Sequence, residues 1–275
     1  MEDNDKSLLR IVATTTFGAS AYDKYAYKFI DSFIKFWPDN IKLRVYYDEV
    51  PIGGWRNTNE RIAYIPLNMP SIESFKGRNR NNPLQKNTSG NNFYCDCIRF
   101  CHKVFAYVDS SLLPDIDLSI WLDADICTHS EITNETILSW LNGKMAGSLF
   151  RENIRMYTET GLIVFDMRYV EAKRFMESWV QQYTMDKVWS LPLPNKKNKF
   201  LGLTDSHAYD AVRSEFSRDL WNNLSPKGVR TRHPFINGIL GKHMDHYKGD
   251  RKNQGRSHAS DLKVKRNENY WKGRP

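Results

Sequence analysis

The sequence predicts one α/β domain built on a mostly parallel sheet covered by helices. Three observations carry that expectation. Short apolar runs alternate with segments of helical spacing along residues 8–256, as in strand–helix–strand units. The 275 residues are 40% hydrophobic and include 14 Phe, 14 Tyr and 8 Trp, enough to fill a sizeable core. No internal repeat or linker-like stretch divides the chain, so the domain is expected over residues 1–256, with a basic tail over 257–275.

The elements follow in order. Residues 8–16, Leu-Leu-Arg-Ile-Val-Ala-Thr-Thr-Thr, read as a first buried strand that ends in hydroxyls. Tyr22, Ala26, Phe29, Ile30, Phe33, Ile34 and Trp37 then recur at helical spacing, and Pro38 closes that helix. Residues 41–47 and 61–67 read as the second and third strands. Residues 77–92 are rich in Asn, Arg, Lys and Gly with almost no apolar content, and read as a long polar loop that is either disordered or a lid over a site. From Tyr94 a further helix turns Ile98, Cys101, Val104, Phe105 and Val108 inward, while Arg99 and Lys103 share a different face. Ile120-Trp121-Leu122 is a short buried strand, and residues 161–166 are another. Ala172, Phe175, Met176, Trp179, Val180 and Tyr183 mark a strongly amphipathic helix. A second polar loop, residues 192–199, precedes Thr204-Asp205-Ser206-His207.

Composition removes several function classes. The start of the chain, Met1-Glu2-Asp3-Asn4-Asp5-Lys6, is polar and mostly acidic, unlike a secretory signal. No run approaches the ~18 apolar residues of a membrane span. Cys95, Cys97, Cys101 and Cys127 lack the spacing of a zinc site or a disulfide framework, and read as reduced thiols. Without a secretory signal, the Asn-x-Ser/Thr matches at Asn87, Asn134 and Asn223 carry little weight. A soluble, cytoplasmic protein is the expectation. Net charge is +8, and residues 242–275 hold ten Lys/Arg against four Asp/Glu. Such a patch attracts nucleotide phosphates, nucleic acid or an acidic surface.

Two segments carry the chemistry. Asp123 and Asp125 leave a buried strand with one small residue between them, so their side chains point the same way. Like charges side by side repel unless a cation sits between them, which suits a divalent metal carrying phosphates. The second segment is His246-Tyr247-Lys248-Gly249-Asp250-Arg251-Lys252. A histidine can complete a metal site begun by two carboxylates, and the mixed oxygen and nitrogen set suits Mn²⁺ at least as well as Mg²⁺. Lys248, Arg251 and Lys252 can hold a diphosphate, with Gly249 allowing close backbone approach.

Taken together, these segments resemble the nucleotide-sugar glycosyltransferases of the GT-A fold, and among them the retaining glycogenin-like and galactosyltransferase-like enzymes. The resemblance runs in order over residues 8–256. Asp123-Ala124-Asp125 matches the family's Asp-x-Asp, and Arg99 resembles the Arg on the helix before it. Glu159-Thr160-Gly161 stands where the family has Asn-Ala-Gly, and Asp205-Ser206 where it has Asp-Gln. The segment from His246 to Lys252 echoes His-x-x-Gly-x-x-Lys-Pro-Trp, with Asn253-Gln254 in place of Pro-Trp.

The resemblance implies a single Rossmann-like domain and a hexosyl- or pentosyltransferase using a nucleoside diphosphate sugar, with UDP as the default nucleotide. It implies a metal on Asp123, Asp125 and His246. Lys248, Gly249, Arg251 and Lys252 fall on the diphosphate, with Arg99 on its other side. Thr14, Thr15 and Tyr22 fall near the base and ribose. Asp205 or Glu159 would steady charge at the anomeric carbon in a retaining reaction. In an inverting one, Asp205, Glu159 or His207 would deprotonate the acceptor. The acceptor stays open between glycan, protein and DNA, the last making this a nucleic-acid-binding, DNA-modifying relative whose acceptor is a hydroxylated base. In the DNA case Arg78, Arg80, Lys86 and the tail after Arg256 would meet phosphates. A nucleic-acid-binding protein or metal-dependent nuclease is the competing class, but no third carboxylate is spaced for a two-metal site and no recognised nucleic-acid motif is present.

Overall fold

The computed structural model describes residues 9–51, 53–85, 96–151, 157–191, 203–226 and 233–263. Its strands are β1 (Ile11–Phe17), β2 (Lys42–Tyr47), β3 (Ile62–Pro66), β4 (Leu118–Leu122), β5 (Ile126–Thr128), β6 (Ala146–Leu149), β7 (Glu159–Asp166), β8 (Trp221–Asn223) and β9 (Met244–His246). Its helices are α1 (Ala19–Ala21), α2 (Tyr27–Phe36), α3 (Pro70–Asn79), α4 (Cys97–Ser111), α5 (Asn134–Leu141), α6 (Val170–Thr184), α7 (Asp205–Arg213), α8 (Pro234–Asn237) and α9 (Arg251–Gln254).

Seven strands form one sheet in the order β3-β2-β1-β4-β7-β6-β8. The pairs β1–β2, β2–β3, β1–β4 and β6–β8 are parallel, while β7 runs antiparallel to both β4 and β6. The fold is therefore the expected α/β architecture with a mostly parallel sheet and helices on its faces. The reversal of β7 is not visible in its own sequence, because a strand buried on both faces reads alike in either direction. Its consequence is local. The carboxyl ends of β1 and β4 and the amino end of β7 meet at one edge, so Glu159, Thr160 and Gly161 arrive beside Asp123.

The sheet separates two apolar layers by strand alternation. Ile120, Leu122, Leu162 and Val164 face a layer with Phe29, Ile30 and Phe33 of α2, while Trp121, Ile163 and Phe165 face Phe175, Met176 and Trp179 of α6. Each such side chain, removed from water, stabilises the fold by about 1.5–3 kcal/mol. Arg61 locks the end of α2 from below the first layer. Its guanidinium donates to the carbonyls of Ile34, Trp37, Pro38 and Ile41 and pairs with Asp39 at 3.0 Å.

Three boundaries differ from the sequence expectation. The helix expected from Tyr22 begins with α1, followed by a π-helical turn, Tyr22–Ala26, before α2. The wide turn buries Tyr22 and Ala26 and leaves Tyr25 facing α9. Residues 77–79, expected in a loop, complete α3, where Asn79 is buried and bonds Asp186. The helix expected from Tyr94 starts at Cys97, because Asp96 caps it by accepting from the Arg99 amide. Residues 86–92 of the first polar loop and all of 192–199 lie outside the described residues. Among the described residues, no helix is long and apolar enough to cross a membrane.

Candidate active site

The site begins with the paired carboxylates. Asp123 follows β4, and its amide donates to the Gly161 carbonyl at 2.8 Å, tying it to the start of β7. Its Oδ1 accepts from the Trp121 indole at 2.7 Å and from Lys103 at 3.0 Å. Asp125 is held by a second, two-stranded sheet, in which β5 pairs antiparallel with β9 and sets Ile126 opposite His246. The Tyr247 amide donates to the Asp125 carbonyl at 2.8 Å, which closes that ladder. His246 Nε2 consequently lies 3.0 Å from Asp125 Oδ1 and 3.6 Å from Asp123 Oδ2. Ligand atoms of Asp123, Asp125 and His246 all fall within 4.8 Å of one another.

Lys252 of α9 completes this group, with its ammonium 2.9 Å from Asp125 Oδ2 and 4.6 Å from the Tyr25 ring centroid. Burial opposes ionisation of Asp125, but His246 and Lys252 outweigh it and hold the carboxyl far below the usual range. The reciprocal effect raises Lys252: burial lowers it, and Asp125 more than compensates.

A second carboxylate group adjoins the first through Lys103 of α4. Its ammonium, only 9% exposed, meets Asp123 at 3.0 Å, Asp205 at 2.9 Å and the Thr160 carbonyl at 2.6 Å. Burial depresses Lys103, yet the two aspartates raise it above its ordinary value. Thr160 donates to Asp205 at 2.6 Å, and its hydroxyl also lies 2.7 Å from that of Ser206. Asp205 and Ser206 thus enter the site from the first turn of α7.

Glu159 lies on the other flank, 4% exposed. Its Oε2 is bound by Lys248 and by Arg151 at 2.8 Å, and its Oε1 lies 3.6 Å from His246 Nδ1. Burial opposes its ionisation, but Lys248, His246 and Arg151 together hold it far below the carboxylate range. Gly161 is needed for this packing. A Cβ there would lie 2.6 Å from His246 Cε1 and 2.7 Å from Nδ1, closer than atoms approach. Gly249 has a different reason to be glycine, since it turns the chain between Lys248 and Lys252 at φ +59°.

The structure separates the sequence candidates. It brings together Asp123, Asp125, His246, Lys252, Asp205, Glu159 and Lys248. Arg251 instead grips Asp261 through two contacts of 2.6 Å. Arg99 is exposed, within electrostatic reach of Tyr25 and so at the rim. Thr14 is fully buried, its hydroxyl donating to Ser110 at 2.7 Å, and Thr15 is fully buried as well. Tyr22 is buried against Phe17 and Trp55, and its hydroxyl bonds Asn57 and the Arg56 amide. These three serve the core as packed here. His207 bonds Thr204 at 2.7 Å, and burial lowers its pKa. Arg78, a candidate phosphate contact, is paired with Asp186 at 2.9 Å, whereas Lys86 lies outside the described residues.

Lys103 is the main residue that sequence reasoning passed over. Its signal is present: it is the cation next to the inward run Val104-Phe105-Ala106, on the helix that precedes the Asp pair. Arg151 carries no comparable local signal, because its partner Glu159 comes from the neighbouring strand.

The donor set fits a divalent ion. Two carboxylate oxygens and an imidazole nitrogen converge, and separations of 3.0 and 3.6 Å are near the ~3 Å edge of an octahedron with ~2.1 Å bonds.

No protein-family model and no curated protein matches the sequence. Among solved structures, the chain is similar to the apo form of mouse xyloside xylosyltransferase 1, with a TM-score of 0.46 and 11% identity over 79% of this chain and 85% of that one. It is also similar to the galactosyltransferase LgtC in complex with donor and acceptor sugar analogues, with a TM-score of 0.42 and 15% identity over 73% of this chain and 70% of that one.

Proposed function

We propose that this chain is a metal-dependent GT-A glycosyltransferase, which moves a hexose or pentose from a UDP-sugar to an acceptor hydroxyl with retention of configuration. One observation carries the reading. Asp123, Asp125 and His246 converge within 4.8 Å beside Lys252, and Lys103 links that group to the carboxylate of Asp205.

The chemistry follows from what must be stabilised. Breaking the bond between the anomeric carbon and a phosphate oxygen leaves negative charge on the diphosphate and oxocarbenium character on the sugar. A divalent ion on Asp123, Asp125 and His246, Mn²⁺ by its mixed donors, would supply Lewis acidity toward the leaving diphosphate. Lys252, on α9 just after the turn at Gly249, adds fixed positive charge beside the same carboxylates. Arg99 supplies a further cation at the rim. Asp205 is our choice to face the anomeric carbon. Its Oδ2 already accepts from Thr160 and pairs with Lys103, which suits steadying positive charge better than taking a proton. That preference favours retention. The acceptor class that fits is a glycan or protein hydroxyl. A cytoplasmic setting agrees with Cys97 and Cys101, which are buried free thiols.

The test is a screen of UDP-sugars for UDP release with and without Mn²⁺. Hydrolysis should require the metal and fall roughly 100-fold or more in Asp125→Ala. Metal-independent release, or an unaffected variant, overturns the assignment.

A further inference from the structure

A carboxylate as buried as Glu159 costs several kcal/mol unless its oxygens are matched. Oε2 is matched by Lys248 and Arg151. Oε1 has a different neighbour, His246 Nδ1 at 3.6 Å, and that nitrogen is buried and makes no hydrogen bond of its own. At the other end of the same ring, Nε2 faces Asp125 and Asp123. His246 therefore stands between carboxylates at both ends, and the end that carries a lone pair decides what the ring can do.

A lone pair on Nδ1 would point toward the negative charge of Glu159 in a pocket with little water to screen it. A proton on Nδ1 would be attracted by the same charge. Nε2 faces two carboxylates of its own, but with a cation between them it must offer that cation a lone pair, and the proton of the neutral ring then stands on Nδ1, facing Glu159. Gly161 provides the room, since any side chain there would strike this edge of the ring.

We infer that Glu159 is a positioning residue for the metal site: it holds His246 by the Nδ1 edge and so commits Nε2 to the ion, while Arg151 and Lys248 balance its charge. The inference rests on the metal reading above and gives Glu159 a task away from the anomeric carbon. A carboxylate behind a ligating histidine raises the basicity of the ligand and fixes its orientation. Losing such a partner typically weakens metal binding ~10–100-fold.

The experiment uses the full chain with Mn²⁺ as the probe. Affinity is read by titration calorimetry, and the nitrogen ligand by its modulation of the Mn²⁺ electron spin echo. Glu159→Gln should bind Mn²⁺ about 10–100-fold more weakly, with the nitrogen modulation reduced or lost. Lys248→Met removes a competitor for Glu159 and should bind as tightly as wild type or more tightly, with the modulation kept. Wild-type affinity and modulation in Glu159→Gln overturn this inference alone. No nitrogen modulation in the wild type, with His246→Gln binding equally well, overturns the metal reading and this inference with it. Should Glu159→Gln fail to fold by circular dichroism, Lys248→Met decides, and weaker Mn²⁺ binding there counts against the proposal.

Discussion

β1 and β4 lie side by side and parallel, with Thr14 opposite Trp121, and both end at the same edge of the sheet. β1 ends in hydroxyls that turn into packing: Thr14 bonds Ser110, Thr16 bonds the Tyr46 carbonyl, and the chain then runs into the rings of Phe17, Tyr22 and Trp55. β4 ends in carboxylates that collect partners from three other parts of the chain, the ammonium groups of Lys103 and Lys252 and the imidazole of His246. A hydroxyl both donates and accepts, so one neighbouring hydroxyl or carbonyl satisfies it. A buried carboxylate is satisfied only by opposite charge or several donors, so it draws distant segments together. Polar strand ends look alike in sequence, but only the charged one obliges the fold to build around it.

That contrast can be broken at its strongest point first. Lys103→Met leaves Asp123 and Asp205 without their shared cation. It should destabilise the protein by about 3–5 kcal/mol, the range for breaking one side of a buried pair. Urea unfolding measures the loss, and a change under 1 kcal/mol would mean that these carboxylates do not depend on Lys103. Gly161→Ala acts on geometry instead of charge. Displacing His246 should weaken Mn²⁺ binding about 10-fold or more while the fold is retained, as read by calorimetry and circular dichroism. An alanine variant with wild-type affinity would show that the ring has room to move. The smallest effect belongs to β1. Thr14→Val removes one side of a buried hydroxyl pair and should cost about 1 kcal/mol in thermal unfolding, with Mn²⁺ affinity intact. A clear loss of UDP affinity in that variant would return the end of β1 to the binding site.

The legible part of the site was the part with local meaning. Asp123 and Asp125 announce themselves because two carboxylates one residue apart at the end of a buried strand share a side. His246 was legible through the cations that follow it, yet its place beside Asp125 comes from the β5–β9 pairing, two three-residue strands with little signal of their own. Choosing between Arg99 and Lys103 was harder, since both sit on the same flank of α4 and only packing tells the exposed one from the buried one. Thr14 and Tyr22 pose the opposite problem, since polar groups at a strand end read as ligand contacts, and only packing shows that their hydroxyls meet Ser110 and Asn57.

By itself, then, the sequence determined the α/β class, the strands buried on both faces and the carboxylate pair that needs a cation. Periodicity and charge are properties of neighbouring residues, and they survive without a fold. The tertiary structure alone decided that β7 runs backward and delivers Glu159 to the site, that Lys103 joins Asp123 to Asp205, and that Arg251 belongs to Asp261. Those outcomes depend on which distant charge reaches a carboxylate at a distance of about 3 Å, and proximity of that kind exists only once the chain has packed.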